Sequence, residues 1–444
     1  MRSGAVSGDA RGWDREILRL AVPAFGALIA EPLYVLTDTA VVGHLGTTQL
    51  GALAAASAVL LSGYSICIFL AYGTTAAVAR LIGAGEHRRA AHEAVQGVWL
   101  ALFLGVLLAI VGAILGRRAL DLFGNDPAVR AGAWVYLRAS LPGIPAALVM
   151  LAGVGYLRGL QQTSRPLVVA VGTALLNLVL EIVWIYGFDG GLRASALATV
   201  AAQWVGAAVY LRWISGAVAQ HGVQLGPDLA TIGSLARVGL HLFVRTVALR
   251  GAFVVITIAA AHLGTVQLAA HEIGFQIMFL LALALDSVAI AGQAIVGRLL
   301  GSGDAVAAYR ASRRMIGWAT ALGVLMAIAV LVVRSPVTHV FTDDARVRAL
   351  ATFVLLHVAL LQPLNGALFA LDGILIGAGD QRYLAYTMPV ATLVLCVAVT
   401  IVWRDHAGLG WLWFAVELFM AARLIALVAR FRTDHWRVVG TAHG

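Results

Sequence analysis

Apolar residues run along this chain in stretches of about 20, the length needed to cross the hydrocarbon core of a bilayer as a helix. Short segments bearing arginine, glycine or proline separate them. The pattern predicts helices near 16–43, 50–80, 92–116, 130–157, 166–187, 192–214, 233–262, 266–297, 309–333, 347–376, 384–403 and 409–430, twelve in all. Arginine is unevenly shared between their ends. Arg2, Arg11, Arg15, Arg80, Arg88, Arg89, Arg158, Arg165, Arg298, Arg310, Arg313, Arg314, Arg382, Arg430 and Arg432 fall on one side; Arg117, Arg118, Arg130, Arg193, Arg334, Arg346, Arg348 and Arg404 fall on the other. The positive-inside rule makes the richer side cytoplasmic, with both termini there.

The pattern also repeats. His-Leu-Gly-Thr occurs at 44–47 and again at 262–265. The same offset pairs Arg80-Leu-Ile-Gly-Ala-Gly with Arg298-Leu-Leu-Gly-Ser-Gly, Asp126 with Asp344, Arg130 with Arg348, Pro145 with Pro363 and Gly155 with Gly373, without a gap. Six spans lie in each half, so the two halves keep the same orientation, as parallel repeats do. The expected architecture is an all-α integral membrane protein, with twelve transmembrane helices in two six-helix bundles related by an internal parallel repeat. The expected domains are a first lobe over 1–214, a cytoplasmic linker over 215–231 carrying Gly222, Gly226 and Pro227, and a second lobe over 232–444. A substrate path is expected between the lobes.

Composition supports this picture. Hydrophobic residues are 61% of the chain and charged ones 12%, where soluble domains run nearer half apolar and a quarter charged. The net charge of +9 is scattered in short arginine clusters between apolar runs, which reads as topology and excludes a nucleic-acid surface. The polar start and the length of the first apolar run predict no cleaved signal peptide. Cys67 and Cys396 lie in separate halves without metal-ligand spacing, so both are expected to be inert thiols.

The informative residues are the acids that interrupt apolar helices. A charge at mid-bilayer costs about 2.5–3.5 kcal/mol on insertion scales, so such residues usually face a polar cavity and mark an ion or substrate path. On the first helix Glu31, Tyr34 and Asp38 share one face at helical spacing, and Pro23, fifteen residues before Asp38, removes a backbone hydrogen bond and can bend the helix. Asn177 and Glu181, four apart on the fifth helix, share a face, and Thr199 lies on the sixth. Asp38, Asn177, Glu181 and Thr199 together offer two carboxylates, an amide and a hydroxyl, a set suited either to protonation or to a small hard cation such as sodium. The repeat sharpens the point, because its offset carries Glu31, Asp38 and Glu181 onto Leu249, Ile256 and Val399. Each half has its own acids. In the second half these are Glu272, Asp286 and Asp372; with Glu31, Tyr136 and Arg245 they are candidates for the substrate cavity, Arg245 being better suited to a buried ion-pair network with Asp286 or Asp372, since a buried guanidinium rarely goes unpaired.

The stretch Asp-Thr-Ala-Val-Val-Gly-His-Leu-Gly from Asp38, the stretch Gly-Arg-Leu-Leu-Gly-Ser-Gly-Asp at 297–304 and Leu-Asp-Gly-Ile-Leu-Ile-Gly-Ala-Gly-Asp at 371–380 resemble those of the multidrug and toxic compound extrusion (MATE) transporters. Leu285-Asp286-Ser-Val-Ala-Ile-Ala-Gly-Gln and the Asp372-Gly motif look like the DinF-like branch. The resemblance implies two six-helix lobes around a cavity, and export of small organic cations or amphipathic compounds against inward flow of protons or sodium. It also implies that Tyr34, Asp38, Asn177, Glu181 and Thr199 couple to the cation and that Pro23 bends the first helix. Family members usually carry aspartate where Glu181 stands. The longer arm disturbs sodium coordination more than proton binding, which favours protons.

The expected function is therefore a proton-coupled multidrug antiporter of the inner (plasma) membrane, acting as a monomer in the bilayer, without a cofactor and without nucleic acid. Sodium coupling and a lipid-linked precursor flippase are the alternatives. No HExxH, serine-histidine arrangement or paired metal ligands at catalytic spacing point to an enzyme.

Overall fold

The computed structural model describes residues 10–123 and 126–441, and among these every regular element is helical. The elements are α1 (Ala10–Gly43), α2 (Thr47–Ile66), α3 (Phe69–Gly83), α4 (His87–Leu120), α5 (Pro127–Ser140), α6 (Ile144–Gly159), α7 (Ser164–Ile182), α8 (Gly191–His221), α9 (Leu229–Leu263), α10 (Thr265–Gly301), α11 (Ala305–Phe341), α12 (Ala345–Gly377), α13 (Gln381–Arg404) and α14 (Leu409–Phe431). α2 with α3, and α5 with α6, each make one crossing, so the described residues contain twelve helical spans long and apolar enough for a membrane. The spans overrun the predicted limits; α4 and α11, for example, reach His87–Leu120 and Ala305–Phe341. Hydropathy sees only the hydrocarbon-length part of a helix, while its arginine- and alanine-rich ends, good helix formers, continue the backbone beyond it.

The repeat is visible in backbone and caps. Gly46 and its repeat partner Gly264 have φ of 129° and 130°, a conformation L side chains rarely adopt, and each starts a helix. Asp126 accepts from the amides of Ala128 and Val129 at 2.8 and 3.4 Å; Asp344 accepts from Arg346 and Val347 at the same two distances. His44 and His262 each bond the carbonyl four residues back.

Where the halves differ, local chemistry explains the difference. α12 is continuous through Pro363, but its counterpart breaks at Leu141–Gly143, where Pro142 joins Pro145 and two backbone N–H donors are lost within one turn. α10 is continuous, but its counterpart breaks between α2 and α3. There Ser62 and Ser65 bond the carbonyls of Ala58 and Ser62, competing for groups that the helix ladder uses.

The chain divides into two compact units, one of Gly26–Gly239 and one of Leu240–Gly444 with the chain up to Phe25. The division thus falls inside α1, just after Pro23. In the first unit, one apolar core joins α3, α4, α6 and the end of α8, and another joins α2, α5 and the start of α8. Gly222 ends α8 at φ 62°, and the segment from Gly222 to Asp228 is fastened to α4 by Gln96, His92 and Trp99. Asp228 lies between spans, and the hydroxyl of Thr231 together with His92 holds its carboxyl down at about 2.

In the second unit α12 is the central helix, with Val354, Leu355, Val358, Leu368, Leu371 and Ile374 fully buried. The start of α1 is anchored by charge: Asp14 accepts from Arg314 Nε at 2.6 Å and Trp318 Nε1 at 2.6 Å, and Glu16 from Arg298 Nη2 at 2.6 Å. Beyond α14 the chain folds back, with Trp436 buried on Phe431 and the Gly440 amide on the Leu300 carbonyl at 2.9 Å.

Glycine permits close helix approach in both units. A Cβ on Gly155 would lie 2.6 Å from the Ala71 carbonyl oxygen, and one on its repeat partner Gly373 would lie 2.3 Å from that of Ala289. Gly373→Ala is therefore expected to destabilise the protein by about 1–3 kcal/mol, the usual cost of overpacking. Thermal denaturation in detergent measures it, and an unchanged midpoint would contradict the close approach.

Candidate functional site

The first unit brings the polar residues of α1, α7 and α8 together. Ser195 on α8 donates its hydroxyl to Asp38 Oδ1 at 3.1 Å. One turn farther on, the Thr199 hydroxyl donates to the Ser195 carbonyl at 3.2 Å. Thr199 has no second proton, so Tyr34 Oη donates to it at 2.8 Å, as does Asn177 Nδ2 at 3.1 Å. Tyr136, on α5, is buried against the same group beside Asp38 and Thr199.

Glu181 completes the cluster. It sits one turn after Asn177 on α7 and is 0% exposed, while Asp38 is 6% exposed. The two carboxyls are close neighbours, with Ser195 beside both. The single Ser195 proton goes to Asp38, and neither Glu181 oxygen accepts a hydrogen bond from a described N–H or O–H group. Among the described residues no basic side chain pairs with either acid. Neighbouring carboxyls can hydrogen-bond to each other only when one of them carries a proton.

α7 ends one residue after Glu181 in a π-helical turn, Val183–Gly187, a feature often found at functional positions. The turn carries Tyr186, whose hydroxyl donates to the Val41 carbonyl at 3.0 Å and ties the end of α7 to α1. Among the described residues no group of three or more His, Cys, Asp or Glu side chains converges on a metal-sized site. Glu31 is on the same helix as Asp38, but its side chain is exposed.

The second unit arranges its charges differently. Asp372 on α12 is buried between two guanidinium groups, Arg245 of α9 and Arg423 of α14, with Arg423 Nη2 at 2.9 Å and Arg245 Nη2 on the same oxygen. A gap of about 10 Å³, room for about one water, lies beside Asp372 and Arg423. Glu272 and Asp286, both on α10, are partly buried.

Two residues of these clusters were not singled out from the sequence. Ser195 carried a signal in its spacing of one turn before Thr199. Arg423 carried one as a lone guanidinium in the middle of an apolar span. The placement of Tyr136 beside Asp38, rather than elsewhere along a cavity wall, had no signal at all.

Comparison with known proteins gives the geometry its context. The model of the MatE family matches residues 23–183 and again 242–402, once in each half of the repeat. The chain belongs to the MatE family. It is 30% identical over 449 residues to Protein DETOXIFICATION 44, chloroplastic, of Arabidopsis thaliana, across 96% of this chain and 84% of that protein. It is 28% identical over 435 residues to the DNA damage-inducible protein F of Escherichia coli (strain K12), across 96% of this chain and 93% of that one. A crystal structure of MATE in the bent conformation shares the fold, with a TM-score of 0.86 at 21% identity over 96% of this chain and 95% of that chain. This MatE-family protein is a multi-pass membrane transporter with DinF among its relatives.

Proposed function

We propose that this transporter exports cationic or amphipathic organic compounds in exchange for protons, by alternating access, as a monomer of the inner (plasma) membrane with both termini cytoplasmic. The carboxyl pair of Asp38 and Glu181 carries this reading, because it is buried, faces no basic partner among the described residues, and bonds internally only with one proton between its members. A ligand shifts a conformational equilibrium only by its differential affinity for the two states. A proton that closes the Asp38–Glu181 contact in one state and leaves it in the other supplies that difference. Ser195, Thr199, Asn177 and Tyr34 hold the acids in register through a chain of hydrogen bonds running from α7 and α1 into α8. Pro23 lies at the end of the anchored part of α1, where a missing backbone bond lets the helix bend.

The same oxygens are the donors that a sodium ion would use, and the driving ion is separable by experiment. In vesicles containing the purified protein, efflux of a fluorescent organic cation is expected under an imposed pH gradient without sodium, with counterflow of protons read by a lumenal pH dye. Transport driven by a sodium gradient at symmetrical pH would transfer the site to sodium. Transport of neither kind would remove the exporter reading.

A further inference from the structure

The second half has a polar contact at the place where the repeat puts the first-half cluster. The repeat offset carries Ser195 and Thr199 onto Trp413 and Glu417, both on α14. Glu417 Oε1 accepts from His357 Nδ1 of α12 at 2.8 Å, with both side chains largely enclosed. In the first half Tyr136 and Thr199 meet across the corresponding pair of spans. Glu417 thus stands where the repeat puts the Thr199 hydroxyl, while His357 stands where it puts Ala139, three residues after Tyr136.

We infer that His357 and Glu417 form a second proton-binding site, separate from the Asp38–Glu181 pair and independent of the ion that drives export. Three observations carry this. First, a carboxylate only accepts, so the bond at 2.8 Å fixes the proton of a neutral imidazole on Nδ1 and leaves the lone pair on Nε2. Second, Nε2 is enclosed and has no hydrogen-bond partner among the described groups, with Phe353 set edge-on at 5.0 Å and Gly410 facing it without a side chain. The pair therefore keeps an acceptor open inside the protein. Third, Glu417 lies eight residues into an apolar span, and its one described ion-pair partner is His357. With neutral imidazole the pair carries one negative charge in a setting where charge is costly. One added proton converts it to a neutral ion pair tying α12 to α14.

The surrounding elements bring few competing groups. α10 contributes His271, whose ring lies 5.7 Å from that of Trp413, and next to it Glu272; Asp286 is fourteen residues farther along that helix. α9 contributes Thr257, hydrogen-bonded to His271 at 3.3 Å. α11 has no ionisable side chain between Arg314 and Arg334, and α13 has Tyr383, Tyr386 and Cys396 between Arg382 and Arg404. None of these groups is a basic partner for Glu417.

The test is histidine NMR on the whole protein in lipid nanodiscs, with labelled imidazole rings and His357 assigned as the signal absent from His357→Gln. Between pH 8.5 and 5 the His357 ring is expected to pass from the Nδ1-protonated tautomer to imidazolium in a single step. In Glu417→Gln the tautomer becomes mixed and the step moves to lower pH, because the carboxylate that favours the imidazolium is gone, while the same experiment on Asp38→Asn leaves the step in place. A His357 ring that stays neutral to pH 5, or one that titrates identically with and without the Glu417 carboxylate, would overturn the inference. The wild-type titration alone decides the first of these outcomes, should the Glu417 variant not fold. Because Asp38→Asn removes the first-half pair, its result separates this site from the proposed coupling site.

Discussion

Asp38→Asn is expected to abolish uphill export while leaving the protein folded. Asparagine keeps the shape of the side chain and an oxygen for the Ser195 hydroxyl, which donates to Asp38 at 3.1 Å, but it removes the group able to share a proton with Glu181. If one proton is exchanged per substrate, a pH difference of two units corresponds to about 2.7 kcal/mol, or roughly a hundredfold concentration ratio. Wild type should approach that ratio in vesicles, and Asp38→Asn should fall to a ratio of about one. Downhill leak and thermal midpoint should be close to wild type, since the variant also spares the buried site a charge. Glu181→Gln should behave in the same way, because either member suffices to empty the pair. Uphill accumulation retained by Asp38→Asn, with proton counterflow intact, would refute the assignment of this pair.

Removing Asp372 should have the largest effect on stability. Its carboxylate is shared by Arg245 and Arg423, both buried, so Asp372→Ala leaves two guanidinium groups facing each other in an apolar unit. Deleting one partner of a buried ionic group costs about 3–5 kcal/mol, chiefly through the charge left uncompensated. Replacing all three members with apolar residues of similar volume, Arg245→Met, Asp372→Leu and Arg423→Leu together, should recover most of that loss. Thermal denaturation of the single and triple variants measures both effects. Export by the triple variant then decides whether the triad is a scaffold or part of the substrate path: normal export makes it a scaffold, and a stable but inactive protein places substrate against it. A single Asp372→Ala variant as stable as wild type would show that the triad contributes nothing to folding.

Much of this protein was legible from its sequence because the relevant properties are local. Hydrophobic length and arginine placement report on one helix at a time, so the twelve spans emerged without any knowledge of packing. Duplication added a comparison within the chain, and the matched caps of Asp126 and Asp344 and the matched glycines Gly46 and Gly264 occupy equivalent backbone positions. Helical spacing likewise put Asp38 with Tyr34, and Glu181 with Asn177, because residues four apart must share a face.

Partners across helices were decided only by the tertiary structure. Whether Asp38 meets Glu181, and whether Ser195 gives its proton to one or the other, depends on the rotation and rise of α1, α7 and α8, which no periodicity within a single helix records. The same reason hid Arg423, whose choice of Asp372 is set by how α14 packs on α12, and the meeting of His357 with Glu417, far apart in sequence. A difference of one turn or one methylene changes which polar atoms touch, while the hydrophobic pattern that builds the helices stays the same.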